Sequence, residues 1–409
     1  MGQAETVKFL SSGSAFSCDE PVEIVETHGA YIFLCGDTVL KLKRAVTYDY
    51  MDLSTTDKRR RMITRELELN RPYAPEIYRD ALPITQTEDG LALCGDGPVV
   101  DWVLKMWRFP RKDEFEIIAE RGDFDDRLAD ETGREIFSYH ASVPVRDQLG
   151  SKLISDILAE LARVFDEFPD AAGAERVIEW QAVVADTLEQ VAGLLNSRGH
   201  EGHVRRAHGD LHLRNLVLIA GRPVPFDALE FDEILGTCDI LYDIAFLVMD
   251  LCHRGLERQA CLALSAWLRE ARGAQDAGLA ALPLFLSVRA AIRAMVLLQT
   301  DKARQMPGAS AAEIADYVAL ACDALRPRLS KLVALGGFSG SGKSCLARSL
   351  APEIGALPGA VILNSDRERK AGLPQDKRLD SCEYSSDRRN AVYQSMFGRA
   401  GAILAAGHS

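Results

Sequence analysis

The sequence predicts an α+β chain. A β-rich N-terminal lobe (about residues 1–109) leads into a mostly helical lobe (about 110–329), followed by a partial α/β module at 330–409. Three observations carry this reading. Short apolar runs separated by tight turns crowd the first hundred residues. The middle of the chain repeats its apolar residues with a period near 3.6. From Lys331 the pattern changes to an apolar run, a glycine-rich loop and a helix.

Each element has a local reason. Val22–Glu26, Ala30–Gly36 and Thr38–Arg44 read as strands joined by turns at His28–Gly29 and Gly36–Asp37. A helix follows: Ser54 and Asp57 resemble a capping box, and Pro72 stops the pattern after Asn70. Val99–Trp107 is a further strand, ended by Phe109–Pro110. In the helical lobe the stretches 181–196 and 257–271 carry the helix period. The segment 216–227 interrupts it as a strand, a turn at Gly221–Arg222 and a second strand. In the last module "KLVALGG" (331–337) and "AVILNSD" (360–366) read as strands. With only these two strands in view before "AGAILAAGHS", the module is expected to be incomplete, as part of a longer product or as a degenerate copy.

Composition narrows the function. A chain of 409 residues, 47% hydrophobic and 26% charged, is long enough for two or three domains with sizeable cores. Its net charge of -12 disfavours nucleic acid as a partner. The nine cysteines run from Cys18 to Cys382 without a C-x-x-C pair. That argues against a zinc framework or disulfide scaffold and for a reducing, cytoplasmic setting. The N-terminus lacks a charged start followed by an apolar core. No apolar run reaches the roughly 18 residues that span a membrane. The stretch "AALPLFLSVRAAIRAMVLLQ", broken by Arg289 and Arg293, reads as a buried helix. The basic run Lys58–Arg61 reads as a solvated face. The acidic stretch 113–131 reads as a solvated helix pair or a surface attracting a cationic substrate.

The chemistry concentrates in "HGDLHLRN" (208–215). His208 and His212 stand four apart, but Gly209 between them opposes a helix, and no further His or Cys lies nearby to complete a zinc site. Phosphoryl transfer from ATP to a hydroxyl needs a proton acceptor and oxygen ligands for Mg²⁺. Asp210 supplies the first. Asn215 and, after the expected hairpin, Asp227 supply the second. His208 then holds the loop backbone, and His212 lines the cleft.

The octapeptide, hairpin and aspartate resemble the aminoglycoside phosphotransferase and choline-kinase branch of the kinase-like fold. The resemblance implies a lysine on the third strand that binds nucleotide phosphates and a glutamate on the next helix that orients it. Lys41 and Glu66 match these positions, and Lys43, on the same strand face, is a rival to Lys41. It implies that Val99–Trp107 leads into the hinge that meets adenine, and that Asp243 in "LYDIAF" buttresses the catalytic loop or, alternatively, only starts a helix. No G-x-G-x-x-G is present, and "THGAY" (27–31) is the candidate phosphate loop.

A second phosphate site is written in "GGFSGSGKS". It fits G-x-x-x-x-G-K-[ST] from Gly337 through Ser339, Gly340 and Gly342 to Lys343 and Ser344, after an apolar run and before a helix. Backbone N–H groups would curl around phosphate oxygens, with Lys343 on the phosphates and Ser344 on Mg²⁺. Asn364-Ser365-Asp366 and Arg369 resemble zeta-toxin and gluconate-kinase-like P-loop kinases, which implies Asp366 as the base toward a substrate hydroxyl.

Taken together, these stretches resemble the bacterial two-domain proteins that join an aminoglycoside-phosphotransferase-like domain (1–329) to a P-loop, AAA-type ATP-binding domain (330–409). The resemblance implies a cytoplasmic, ATP- and Mg²⁺-dependent kinase acting on a small-molecule alcohol, without nucleic acid or membrane. The rival is a regulatory protein that senses nucleotide without transferring phosphate, and phosphorylation of a protein hydroxyl stays open. Acceptor and oligomeric state are not written in the sequence.

Overall fold

The computed structural model describes residues 3–17, 20–48, 51–169, 173–338, 340–370 and 386–409. The chain divides into two compact units. One is drawn from 1–121, 208–210 and 214–236, the other from 122–207, 211–213 and 237–409.

The first unit begins with α1 (Gln3–Ser11), which the sequence reading did not anticipate. Its strands are β1 (Glu23–Glu26), β2 (Ala30–Cys35), β3 (Thr38–Lys43), the short pair β4 (Thr47–Tyr48) and β5 (Met51–Asp52), β6 (Tyr78–Thr87), β7 (Gly90–Leu93) and β8 (Val99–Trp107). Six of them form one antiparallel sheet in the order β1-β2-β3-β8-β6-β7. The period of two along β3 separates its side chains. Leu40 and Leu42 join a core with Leu10, Phe33 and Ile84. Val39 faces the other way, into a core with Ile63, Ala74, Tyr78 and Leu104. Lys41 and Lys43 share the Val39 side.

On that side lies α2 (Thr56–Asn70). Its N-cap is Thr55, whose hydroxyl accepts from Lys58 N–H, and not the expected Ser54–Asp57 box. Ser54 instead donates to Asp52 at 2.6 Å. The basic run is only partly a solvated face: Arg59 is buried and pairs with Asp101 at 2.8 Å. The unit is completed by α3 (Phe115–Glu120) and the hairpin β10 (Leu216–Ile219)–β11 (Arg222–Pro225). The hairpin turns at Ala220–Gly221, both left-handed with φ 50° and 80°, one residue before the expected place. Cys35 is disulfide-bonded, against the expectation of free thiols, while Cys94, Cys238, Cys252, Cys261, Cys322 and Cys345 are free.

The second unit is helical: α4 (Asp126–Ser142), α5 (Gly150–Glu167), α6 (Ala174–His200), α7 (Ile240–His253), α8 (Glu257–Glu270), α9 (Leu282–Ala303) and α10 (Ala311–Ala324). A small ladder pairs β9 (Val204–Arg206) with β12 (Thr237–Asp239). The stretch Asp276–Ala303 is long and apolar enough to cross a membrane by length and composition, yet 67% of that apolar window is buried inside the unit. Trp180 of α6 donates to Ser287 of α9 there at 2.8 Å. This is the buried helix the sequence suggests.

The same unit holds α11 (Lys343–Leu350), α12 (Ser365–Lys370) and α13 (Ser386–Ala405). The two strands expected at 331–337 and 360–366 do not form: among the described residues neither segment joins a ladder. Leu332 and Val333 are 68% and 50% exposed. A parallel strand depends on hydrogen bonds from neighbouring strands and on cover over both faces. Here the backbone turns to other partners. Lys331 N–H donates to Ser409 Oγ (3.0 Å), Val361 N–H to Ser409 O (2.8 Å), and Ile362 N–H to Ser265 Oγ of α8 (3.0 Å).

Candidate functional site

Five charged side chains meet on the Lys41 face of β3, all within the first unit. Lys41 Nζ lies 2.8 Å from Glu66 Oε1 and 2.8 Å from Asp227 Oδ1. Lys43 Nζ lies 2.6 Å from Glu66 Oε2 and 2.5 Å from Glu230 Oε1. The rivalry between the two lysines thus ends with both on Glu66, one per carboxylate oxygen. Glu66 is fully buried, whereas Asp227 keeps 43% of its side-chain surface. Burial opposes the charge on Lys41, but the carboxylates of Asp227 and Glu66 outweigh it and hold the ammonium well above the ordinary lysine value. Burial likewise opposes ionisation of Asp227, and Lys41 prevails, holding its carboxyl below the usual range. Glu230 goes the other way: burial outweighs Lys43 and raises it.

Asp227 adopts a left-handed backbone with φ 59°. A non-glycine residue stays there only when its surroundings over-determine it. They do: Asp227 N–H donates to the buried Tyr78 Oη (2.9 Å), and Ala228 N–H donates to Asn70 Oδ1 (2.9 Å). Asn70 in turn donates to Glu66 O at 2.9 Å, so the helix that carries Glu66 also fixes the Asp227 segment.

The loop 208–215 is built beside it. Gly209 has φ 82°, and a Cβ there would come within 3.3 Å of Gly236 and Leu229, so both conformation and space require glycine. Asp210 N–H donates to His208 Nδ1 (3.3 Å), which leaves His208 Nε2–H to donate to Phe226 O (2.9 Å). His208 therefore ties the loop to the residue before Asp227. Asn215 Nδ2 donates to Asp210 O (2.8 Å) and Oδ2 (2.9 Å), which turns its amide oxygen the other way. Its backbone oxygen accepts from Phe226 N–H at 3.0 Å.

The donor set suits Mg²⁺. This ion takes oxygen ligands, commonly one or two from protein, with water and phosphate completing six. The Asp227 carboxylate and the Asn215 amide oxygen are such a pair. Among the described residues no group of three or more His, Cys, Asp or Glu forms a metal cluster, so the site offers no all-carboxylate cage.

Two neighbouring residues have partners on the helices of the second unit. His212 is buried, edge-on to Phe246 of α7 with ring centroids 5.1 Å apart, and so packs as core of the second unit. Asp243 meets His140 Nε2 at 3.0 Å and Arg289 at 3.6 Å. Asp250, two turns later on the same face of α7, accepts from Leu213 N–H through Oδ2 at 2.9 Å. Asp250, Asn70, Tyr78 and Glu230 were all missed in the sequence. The available signal was spacing: Asn70 is four after Glu66, Glu230 three after Asp227, and Asp250 seven after Asp243.

At the second phosphate loop, Gly337, Gly340 and Gly342 have φ of 148°, 78° and 83°. Ser339 lies outside the described residues. Lys343 Nζ donates to Gly337 O (2.8 Å) and Phe338 O (2.6 Å), folding over its own loop. Ser344 Oγ accepts from Asn364 Nδ2 at 3.2 Å, which brings the end of the second extended segment to the loop. Asn364 also caps α12, accepting from Asp366 N–H (3.0 Å) and Arg367 N–H (3.1 Å). Asp366 is 81% exposed and pairs with Arg369 at 3.1 Å.

The acidic residues Asp126 and Asp130 of α4 are half-buried and paired with arginines. Asp126 binds Arg258 of α8 (2.6 Å) and Arg348 of α11 (3.3 Å), and Asp130 binds Arg269 (3.1 Å) and Arg367. Arg399 of α13, almost fully buried, bonds Asp276 (2.8 Å), Glu368 (2.7 Å) and Leu268 O (3.0 Å).

Comparison with known proteins separates the two halves of this picture. Residues 332–409 match the AAA domain family model. This AAA-domain region contains the second phosphate loop. Over 406 residues the chain is 28% identical to an uncharacterized protein of Mycobacterium tuberculosis, and equally to one of Mycobacterium bovis, covering 96% of this chain and 78% of each relative. Among solved structures it is similar to a choline/ethanolamine kinase family protein from Mesorhizobium loti (15% identity, TM-score 0.46, 78% of this chain and 94% of that one). It is also similar to an ethanolamine kinase of Plasmodium vivax (11% identity, TM-score 0.44, 78% and 85%). The chain is of mixed α and β structure, as expected, and the AAA family match falls on the region of the second phosphate loop.

Proposed function

We propose that the chain is an ATP- and Mg²⁺-dependent phosphotransferase acting on a hydroxyl of a small molecule. Residues 1–329 form its transferase domain, and 330–409 form a second nucleotide-binding module. The observation that carries this is the Lys41 bridge between Glu66 and Asp227, with the Asp210–Asn215 loop bonded alongside through His208.

In this reading Lys41 leaves Asp227 for the nucleotide phosphates, and Glu66 orients it. Asn215 and Asp227 hold Mg²⁺, which when bound neutralises charge on the phosphate oxygens. Asn215 donates to one oxygen of Asp210 and so presents the other to the acceptor hydroxyl. As the acceptor oxygen bonds to the γ-phosphorus and the bond to the β-phosphate oxygen breaks, Asp210 takes the hydroxyl proton. The products are ADP and a phosphate ester. Positioning and electrostatics supply most of the rate. In the AAA-domain region Gly337, Gly340, Gly342, Lys343 and Ser344 cradle a second nucleotide, Ser344 contacts its Mg²⁺, and Asp366 stands as the base.

The test is ATP consumption with a panel of aminoglycosides, choline, sugars and nucleosides, comparing the parent with Asp210→Ala and Lys343→Ala. Stimulation by one alcohol, reduced by about 10²–10⁴-fold in Asp210→Ala, is the expected result. Should no alcohol stimulate turnover while both variants still bind ATP, the chain is a nucleotide sensor.

A further inference from the structure

The transfer chemistry uses one lysine of β3, yet a second is buried beside it. Lys43 is 5% exposed and carries two ion pairs, to Glu66 and to Glu230. Glu66 is fully buried and has one lysine on each oxygen. The two lysines differ in their other partner. Lys41 is shared with Asp227, a group that must be released when phosphate and metal arrive. Lys43 is shared with Glu230, which lies three residues beyond Asp227 on the same segment and takes no part in transfer. When Lys41 shares its charge between Glu66 and the phosphates, Lys43 keeps the second Glu66 oxygen paired. A buried carboxylate deprived of its partner is strongly disfavoured.

We propose that Lys43 and Glu230 are positioning residues. The pair holds Glu66, and the segment from Asp227 to Glu230, against β3 while Lys41 exchanges Asp227 for nucleotide. This rests on the reading of Lys41 and Asp227 as the nucleotide and metal groups of the first site.

The test is calorimetric titration of MgATP into the full chain carrying Lys343→Ala, so that the first site alone reports. In that background Lys41→Met, Lys43→Met, Lys43→Arg, Glu230→Gln and the double variant Lys43→Met/Glu230→Gln are compared. Methionine keeps the apolar stem of lysine and removes its charge, so a packing role would leave Lys43→Met like the background. Expected are losses of about tenfold in affinity for Lys43→Met and for Glu230→Gln, no further loss in the double variant, and recovery in Lys43→Arg. If Lys43→Met and Glu230→Gln bind within about twofold of the background while Lys41→Met loses binding, the pair is structural only. The reading of the site then survives without this proposal. Multiplicative losses in the double variant overturn it too, because a pair acting as one unit is not additive. Unchanged binding in Lys41→Met overturns the nucleotide site itself and the proposal with it. Should Lys43→Met fail to fold, Glu230→Gln, nearly isosteric and on a loop, decides by the same thresholds.

Discussion

Asp227 shows how one residue is held where its own preferences would not put it. Its left-handed backbone is bonded by Tyr78 and, through the next residue, by Asn70, and its carboxylate is bonded by Lys41. The loop that carries Asp210 is held by equally specific bonds, of which Asp250 to Leu213 N–H is the most buried. Asp250→Ala leaves that N–H without its acceptor. The expected cost is about 1–3 kcal/mol of stability, measured by urea unfolding, with reduced phosphotransfer. A loss of stability with unaltered turnover would show that the bond serves the fold alone. Gly209 was legible as a break in helix because its backbone angle demands glycine. Tyr78 was not, since a buried tyrosine in a strand reads as core until its hydroxyl is seen to have a partner.

At the scale of elements, β3 and α2 were legible because period and polarity agree along them. The same reasoning missed at 331–337 and 360–366, where apolar, β-branched runs read as strands but pairing depends on what lies beside them. The end of α13 offers a test of how this region is held. His408 is buried, and burial pushes its imidazole down to about 4 despite a backbone hydrogen bond at Gly359. The unfolded chain takes up this proton near the ordinary histidine value of 6.5, and the folded chain refuses it until about 4. Stability contributed by neutral His408 is therefore complete above pH 6.5 and falls between 6.5 and 4, by about 3 kcal/mol at most. His408→Gln should flatten this acid limb in pH-dependent unfolding followed by hydrogen exchange. An unchanged limb would assign it to carboxylates.

Over the whole molecule, the charged residues do different work from what their clustering suggested. Arg348 of α11 and Arg367 of α12 pair with the acidic residues of α4, and Arg399 of α13 pairs with Asp276, which ties residues 332–409 to the other helices of the second unit. Arg399 is the most buried of them, and Arg399→Ala strands Asp276 and Glu368. We expect a loss of about 3–5 kcal/mol in equilibrium unfolding, and a much smaller one would mean the two acids find other partners or protonate. On the proposed function the chain binds two MgATP, and Lys343→Ala or Lys41→Met should each remove one. A stoichiometry of one in the parent would leave only one loop competent.

The sequence by itself determined β3, α2, the hairpin at 216–227, the glycine-rich run before Lys343 and the Asp210–Asn215–Asp227 spacing. These are local properties: hydrophobic period, glycine at left-handed positions, and side-chain chemistry at short separations. Only the tertiary structure decided that Lys41 and Lys43 share Glu66, that Asp250 accepts from Leu213 N–H, and that Arg59 and the acids of α4 are paired. Each of those outcomes depends on which charge from a distant part of the chain arrives within hydrogen-bonding range. Burial makes such a partner obligatory, but no local pattern names it.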